Sequence, residues 1–299
     1  NLWNMVDDLS IPVFGTSAKY IEACKNEHII PKKQYHLKSL RSILSTGSPL
    51  IEECFDYVYE NVKKDILLGS ISGGTDIISC FVLLNPILPI VRGEIQCRGL
   101  GMDVKSFDKN KKSLVGKKGE LVCSTAFPSI PIYFWNDKEN KKFKETYFKT
   151  FPGSWHHGDL ISINKRGGVK IYGRSDTTLN PGGVRIGTAE IYRAISSLSY
   201  LDDSLVIGQE WNNDQRVILF VKLKDSIQMN KKIEKEIKST IRSECSHRHV
   251  PEKIIKVSEV PYTMNGKKVE LAVKQIIEKK SVLNADALKN PDILEYYKN

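Results

Sequence analysis

No stretch of this chain is apolar for long enough to cross a bilayer. The longest apolar run, Cys80–Val91, covers about twelve residues and carries Pro86 and Pro89, whereas a spanning helix needs about 20. Cysteine is sparse and shows no pairing pattern. Cys24, Cys54, Cys80, Cys97, Cys123 and Cys245 include no CxxC pair and no zinc-ligand spacing. A chain of 299 residues can build its own core without disulfide staples, so free thiols in a reducing compartment are expected. No basic segment followed by an apolar one opens the sequence, and Asp7 and Asp8 come early, which argues against a secretory leader. Internal repeats and low-complexity linkers are lacking. So are zinc fingers and basic stretches interleaved with aromatics. A soluble, cytosolic globular chain is the expectation these absences leave.

Positive charge is in excess, 45 Lys+Arg against 35 Asp+Glu, for a net +10. The lysines are interleaved with acids, as in "KKIEKEIKSTIRSE" at Lys231–Glu244, which reads as a solvated helix face with i,i+4 pairs. The charge therefore favours small polyanionic substrates over nucleic acid.

Organisation shows in how the pattern changes along the chain. "SIPVFGTSAKYIEAC" reads as a strand, a Gly-Thr-Ser turn and a helix. Leu40–Leu44 is a second strand, and Thr46, Gly47, Ser48 and Pro49 form the turn after it, with Ser48 placed to cap a helix and Pro49 at its first position. Ile51, Cys54, Phe55, Val58 and Val62 keep helical spacing, and Asp65–Ser70 is a buried strand. Strand, helix, strand at this spacing predicts a parallel sheet with helices. From Val91 to Tyr172, short strands broken by Gly, Pro and Asn predict an antiparallel, β-barrel-like subdomain. Beyond it come a helix capped by Thr188, strands in "DSLVIGQ" and "VILFVKL", an amphipathic helix over Lys231–Cys245, a strand in "KIIKVS" and a last helix over Val269–Glu278. The fold class expected is α/β: a partial large domain over residues 1–175, then a small mobile α+β domain over 176–299.

Four segments could carry chemistry. "GSISGGTDI" (Gly69–Ile77) ends a buried strand in a Gly-Gly turn followed by Thr75 and Asp76. Such a turn can offer amides and a hydroxyl to phosphate, with the carboxylate holding Mg²⁺; read alone, it is equally a hairpin turn. "SWHHGDL" sets Asp159 after a glycine and before a strand, where it can accept from paired ribose hydroxyls or simply cap a turn. His156 and His157 are adjacent and would point to opposite faces of a strand, which makes a poor metal site. "YTMNGKKVE" puts Lys267 after an Asn-Gly turn. "GRSDTTLNPGGVRIG" (Gly173–Gly187) sets Arg174 and Arg185 on a stretch with four glycines and a proline, which is incompatible with a helix or a central strand.

Taken together and in this order, the Thr-acid turn, "HGDL", "YGRSDTTLNPGGVRIGTAEI" and the "NGK" loop resemble the C-terminal part of the adenylate-forming superfamily, which joins acyl-CoA synthetases, firefly luciferase and peptide-synthetase adenylation domains. Within it, "FGTSAKYIEAC", "ISGGTDIISCF", "FPSIPIYFWND" and "LNPGGVRIGTAEIYRAI" look most like the acetoacetate-activating branch. The resemblance implies a two-step ligase using ATP, Mg²⁺ and CoA, with acetoacetate or another short or medium acid as substrate. It implies that Gly47, Ser48 and Pro49 line the adenine pocket beside Gly73 and Gly74, that Thr75 contacts the α-phosphate and that Asp76 holds Mg²⁺. Asp159 would bind the ribose hydroxyls with Arg174 near them, and Arg185 would reach the α-phosphate. Lys267 would bridge carboxylate and phosphate, Arg242 would meet a CoA phosphate, and Asp176 would be the hinge on which the small domain turns.

The sequence departs from the family pattern in places. Ser72 stands where an aromatic is usual, and Thr177 follows Asp176 where a second acid is common. Gly73 stands where acetate-activating relatives carry Trp, which suggests room for a longer acid. Relatives also carry several hundred residues upstream with a Ser/Thr/Gly-rich triphosphate loop, which "STGSPL" is too short to be. A piece of a longer ligase, or a non-catalytic nucleotide-binding remnant, are the two readings this leaves.

Overall fold

A computed structural model of the protein describes residues 2–184, 186–212, 214–282 and 288–298. The chain divides into two compact units, Asn1–Ile171 and Tyr172–Asn299. Among the described residues no helix is long and apolar enough to cross a membrane.

The first unit opens with α1 (Leu2–Asp8). Strands β1 (Val13–Ser17), β2 (Ser42–Thr46) and β3 (Leu67–Ser70) then pair in parallel, in that order. Parallel neighbours cannot be joined by a tight turn, and the crossovers carry α2 (Ala18–Asn26), α3 (Pro31–Gln34) and α4 (Glu52–Tyr57). Phe14, Ile43 and Leu68 from the three strands share one cluster with Trp3, Ile21, Cys24, Phe55 and Val58. Each such burial stabilises by about 1.5–3 kcal/mol, which is what fixes the helices to the sheet.

Element edges differ from the sequence reading. Gly15–Ser17 complete β1 rather than turn, and Ser17 caps α2 by accepting from the Tyr20 amide at 3.1 Å. The second strand lies at Ser42–Thr46, two residues beyond its expected start. Ser48 caps nothing: Ile51 holds the capping position of α4, and Glu52 and Glu53 supply the negative charge its first turn favours.

Next come β4 (Ser72–Gly74), β5 (Ser79–Leu83) and β6 (Cys97–Arg98), an antiparallel sheet in that order. A further antiparallel sheet holds β7 (Val104–Phe107), β8 (Ser113–Leu114), β9 (Gly119–Cys123), β10 (Trp155–Ile163) and β11 (Val169–Arg174), ordered β11-β10-β9-β7-β8. The expected barrel is therefore an open sheet. Closure needs the end strands to pair, and the two residues of β8 do not reach β11. The sequence reading also missed α5 (Lys141–Tyr147), whose Phe143 and Tyr147 pack on Trp155 of β10.

The second unit is α+β, as expected. β12 (Leu201–Trp211) and β13 (Asp214–Leu223) form a long hairpin, and β14 (Lys253–Lys256) joins β13 in parallel. Alternate residues feed two cores. Val206, Val217 and Leu219 pack with α6 (Thr188–Ile195) and α7 (Lys231–Glu244). Leu205, Ile207, Ile218 and Phe220 pack with α8 (Glu270–Ile277) and a 3₁₀ segment at Pro291–Tyr297. Thr188 is the first helical residue of α6 and not its cap. That position is Gly187, whose N–H donates to Glu190 Oε1 at 2.8 Å.

Candidate functional site

In the first unit the site begins where the parallel strands end. Ser45 of β2 and Ser70 of β3 are register partners, and the Ile71 N–H donates to the Ser45 carbonyl at 2.8 Å. Two connections thus leave the sheet side by side, Gly47-Ser48-Pro49 and Ile71, at the strand ends where open α/β sheets hold ligands. Gly47 has φ +91° and open space around it, a conformation that only glycine adopts freely.

Gly73 and Gly74 are not the turn. They form β4, and the turn is Thr75–Ile78, closed by the Ile78 N–H on the Thr75 carbonyl at 3.1 Å. Thr75 and Asp76 are exposed on it. A Cβ on Gly73 would lie 1.9 Å from the Ser79 carbonyl oxygen and 2.6 Å from Cys80 Cα. The space this glycine leaves is therefore inside the hairpin, filled by the β5 backbone. A Cβ on Gly74 would lie 2.8 Å from His157 Cε1.

Asp159 reaches the same place through an irregularity in β10. His156 pairs with Val122 and Leu160 with Glu120, so the intervening residues of β10 bulge, and Gly158 sits there at φ +80°. A bulge re-aims side chains. His156 Nε2 turns to Glu120 Oε2 at 3.0 Å. His157 turns the other way, with Nε2 3.1 Å from the Gly73 carbonyl and Nδ1 3.4 Å from Trp155 Nε1. An indole N–H can only donate, so Nδ1 accepts and Nε2 carries the proton given to Gly73. Asp159 is 8% exposed, its Oδ2 3.7 Å from His157 Nε2. The Trp155 ring stacks on Tyr147 with centroids 3.5 Å apart, and the Tyr147 hydroxyl donates to Asp76. One chain of contacts therefore runs from Asp76 through Tyr147, Trp155 and His157 to Gly73 and Asp159. His157 and Tyr147 were not singled out for this role from sequence. Among the described residues no group of three His, Cys, Asp or Glu is arranged to hold a metal.

In the second unit the Gly/Pro-rich stretch is less pliable than its composition suggests. Leu179 and Ile186 are fully buried and exchange two backbone hydrogen bonds of 2.8 Å. The Asn180 N–H donates to Gln215 Oε1 at 2.6 Å, and the Gly182 N–H reaches the Asp214 carboxylate at 3.0 and 3.1 Å. The Gln215 and Gly182 amides hold the Asp214 carboxyl below its usual range. The expected hinge residue, Asp176, lies just before this fastened stretch. Arg174 and Asp176 lie 3.6 Å apart, both half exposed, and the Thr177 and Thr178 hydroxyls donate to the Arg174 carbonyl. Arg185 lies outside the described residues. Arg242 is exposed in the last turn of α7.

Lys267 sits on a tight turn. The Thr263 N–H donates to the Lys267 carbonyl at 2.8 Å, the Lys267 N–H to Thr263 Oγ1 at 3.1 Å, and Gly266 takes φ +74° between them. The Lys267 side chain is exposed and has no hydrogen bond or ion pair among the described residues.

No family model matches the chain. A solved anthranilate CoA ligase, AuaEII in complex with anthranoyl-AMP, superposes with a TM-score of 0.74 at 20% identity, over 90% of this chain and 50% of that one. The fold is that of the C-terminal region of adenylate-forming enzymes. Acetoacetyl-CoA synthetase from Streptomyces lividans superposes with a TM-score of 0.92 at 38% identity, over 99% of this chain and 46% of that one. Acetoacetyl-coenzyme A synthetase of Rhizobium meliloti is 50% identical over 285 residues, 95% of this chain and 44% of the relative. The chain is a homologue of the C-terminal portion of the acetoacetyl-CoA synthetases and spans less than half the length of these relatives.

Two substitutions test the site's construction. Gly73→Trp is expected to destabilise the protein by about 1–3 kcal/mol or more, because the side chain must part β4 from β5; urea denaturation measures this, and an unchanged midpoint would contradict the packing. His157→Ala is expected to move the Trp155 indole N–H resonance in a ¹⁵N NMR spectrum and to leave the Trp3 and Trp211 signals in place.

Proposed function

We propose that the protein is the nucleotide-binding and lysine-bearing part of an acid–CoA ligase that makes acetoacetyl-CoA from acetoacetate, ATP and CoA. The observation that carries this reading is the contact chain from Asp76 to Asp159, which joins a hydroxyl-and-carboxylate turn to a buried carboxylate on the bulged strand β10. The 50% identity to an acetoacetyl-coenzyme A synthetase supports the choice of acid.

In this reading the acid's carboxylate attacks the α-phosphorus of ATP, pyrophosphate leaves, and an acyl-adenylate forms. The CoA thiol then attacks the acyl carbon and AMP departs. Asp159 accepts from the ribose hydroxyls, with Arg174 beside them. Gly47, Ser48 and Pro49 line the adenine side with Gly73 and Gly74, and Thr75 donates to the α-phosphate. Arg185 reaches the same phosphate, and Arg242 meets a phosphate of CoA. Asp76 suits Mg²⁺, since it is an exposed hard-oxygen donor and one or two carboxylates plus substrate phosphates are the usual set. When bound, the ion would neutralise phosphate charge.

Adenylation brings two anions together, so it needs cations held where charge develops. Lys267 is such a cation, mobile on its stem and carried on a tight turn. With Asp176 as the hinge, the second unit would present Lys267 for adenylation and withdraw it for thioester formation.

Acid-dependent ATP–pyrophosphate exchange tests the reading, with acetate and butyrate run beside acetoacetate. Acetoacetate should be preferred. Lys267→Ala should lower exchange by about 10²–10³-fold while AMP release from preformed acyl-adenylate and CoA is kept. Equal loss of both steps would refute the role given to Lys267.

A further inference from the structure

The turn carries two adjacent lysines, and they live in opposite environments. Successive residues of an extended chain point to opposite sides. Lys267 faces solvent. Lys268 turns inward, with its side chain 23% exposed. Its ammonium lies 2.8 Å from Asp203 Oδ1, donates to the Ser204 carbonyl, and sits 4.2 Å from the centroid of the Tyr192 ring. The other oxygen of Asp203 accepts from the Tyr262 hydroxyl at 2.6 Å. Tyr192 is itself tied at both ends: its hydroxyl donates to Glu270 Oε1 at 3.0 Å and accepts from the Val206 N–H at 3.1 Å. Burial, then the Glu270 carboxylate, pushes that hydroxyl's pKa well up, so it remains a donor.

These contacts have a pattern. Tyr262 and Lys268 are bridge partners at the base of the turn. Asp203, Ser204 and Val206 belong to β12, and Glu270 is the first residue of α8. Both legs of the turn and the helix that follows it are thus fastened to one strand. An apolar residue at 268 could fill the space, and ion pairs taken from water often add little stability over apolar packing. What the pair adds is register: a slip by one residue would put Lys267 on Asp203 and leave Lys268 outside.

We propose that Lys268 is a positioning residue, clamped between Asp203 and Tyr192, which sets the register of the Asn265–Gly266–Lys267 turn and gives the exposed lysine a stiff base. The inference rests on the role given to Lys267 above. A point charge on a four-carbon stem wanders, and a reacting geometry lost by about 1 Å can cost on the order of 10²-fold in rate.

The test uses Lys268→Met, which keeps length and removes charge, with Lys268→Arg as the conservative variant and Tyr262→Phe as a second cut in the network. Hydrogen exchange should quicken at the Gly266 and Lys267 amides in Lys268→Met and Tyr262→Phe, and Lys268→Arg should restore protection. Acid-dependent pyrophosphate exchange should fall about tenfold or more in Lys268→Met, with CoA-dependent consumption of preformed acyl-adenylate unchanged. Unaltered amide protection, or equal loss of both half-reactions, would overturn the proposal. Should Lys268→Met fail to fold, Tyr262→Phe decides by the same two readouts. A wild-type protein that exchanges pyrophosphate with no acid would sink the ligase reading instead, and the amide measurement would still judge the clamp.

Discussion

The hydrogen bond from the His157 imidazole to the Gly73 carbonyl ties β10 to β4 at the first unit's site, beside the Tyr147 link from Trp155 to Asp76. Asp76 and Asp159 belong to different sheets, and neither sheet's ladder fixes one against the other. The imidazole crosses between them. Three conditions make this possible. Gly74 must lack a Cβ, because the imidazole occupies that space. Gly158 must take a positive φ so that β10 can bulge and turn His157 toward β4. Trp155 must donate to Nδ1, which leaves the proton on Nε2. A buried acceptor stripped of its donor costs about 1–3 kcal/mol, a large share of a domain's net stability.

The second unit solves the opposite problem. Under the proposed function Lys267 would arrive and leave, which needs backbone freedom somewhere, while a loose base would blur its aim. These two demands fall on different segments. The hinge proposed at Asp176 lies outside the segment in which Leu179, Asn180, Gly182 and Ile186 are hydrogen-bonded within their own unit. The lysine turn is fastened by Asp203, Tyr192 and Tyr262.

What was legible in the sequence follows from what is local. The parallel βαβαβ start could be read because helical spacing and short apolar strands act within a few residues of one another, although Ser48 does not cap α4 and Gly15 lies inside β1. The four candidate motifs could be read as an ordered set, though each alone had an ordinary reading. Element edges shifted by one to three residues. The open sheet was taken for a barrel because strand length and twist, not alternation, decide closure. α5 and its aromatic cluster were missed, since nothing near Phe143 or Tyr147 announces Trp155 as their partner. The same holds for Asp214 and Gln215, which stiffen a Gly/Pro stretch some thirty residues upstream of them. Adjacent lysines 267 and 268 are equal in sequence, and only their burial tells them apart.

Charge gives the arrangement its logic. The first unit's candidate site offers hydroxyl, amide and two carboxylates, Asp76 and Asp159, which suit ribose hydroxyls and a metal-bound phosphate but do not by themselves attract a polyanion. Of the described cations that the family resemblance assigns to the reaction, Arg242 and Lys267 fall in the second unit, and Arg174 ends β11, the strand that pairs with β10. At physiological ionic strength the Debye length is about 8 Å. A solvated ammonium held farther than that from a phosphate is electrically almost absent, and one brought within contact distance in a dry cleft interacts strongly. Under the proposed function, a unit turning at Asp176 would make the charge of Lys267 a matter of position, and two half-reactions needing that charge at different moments would share one set of carboxylates.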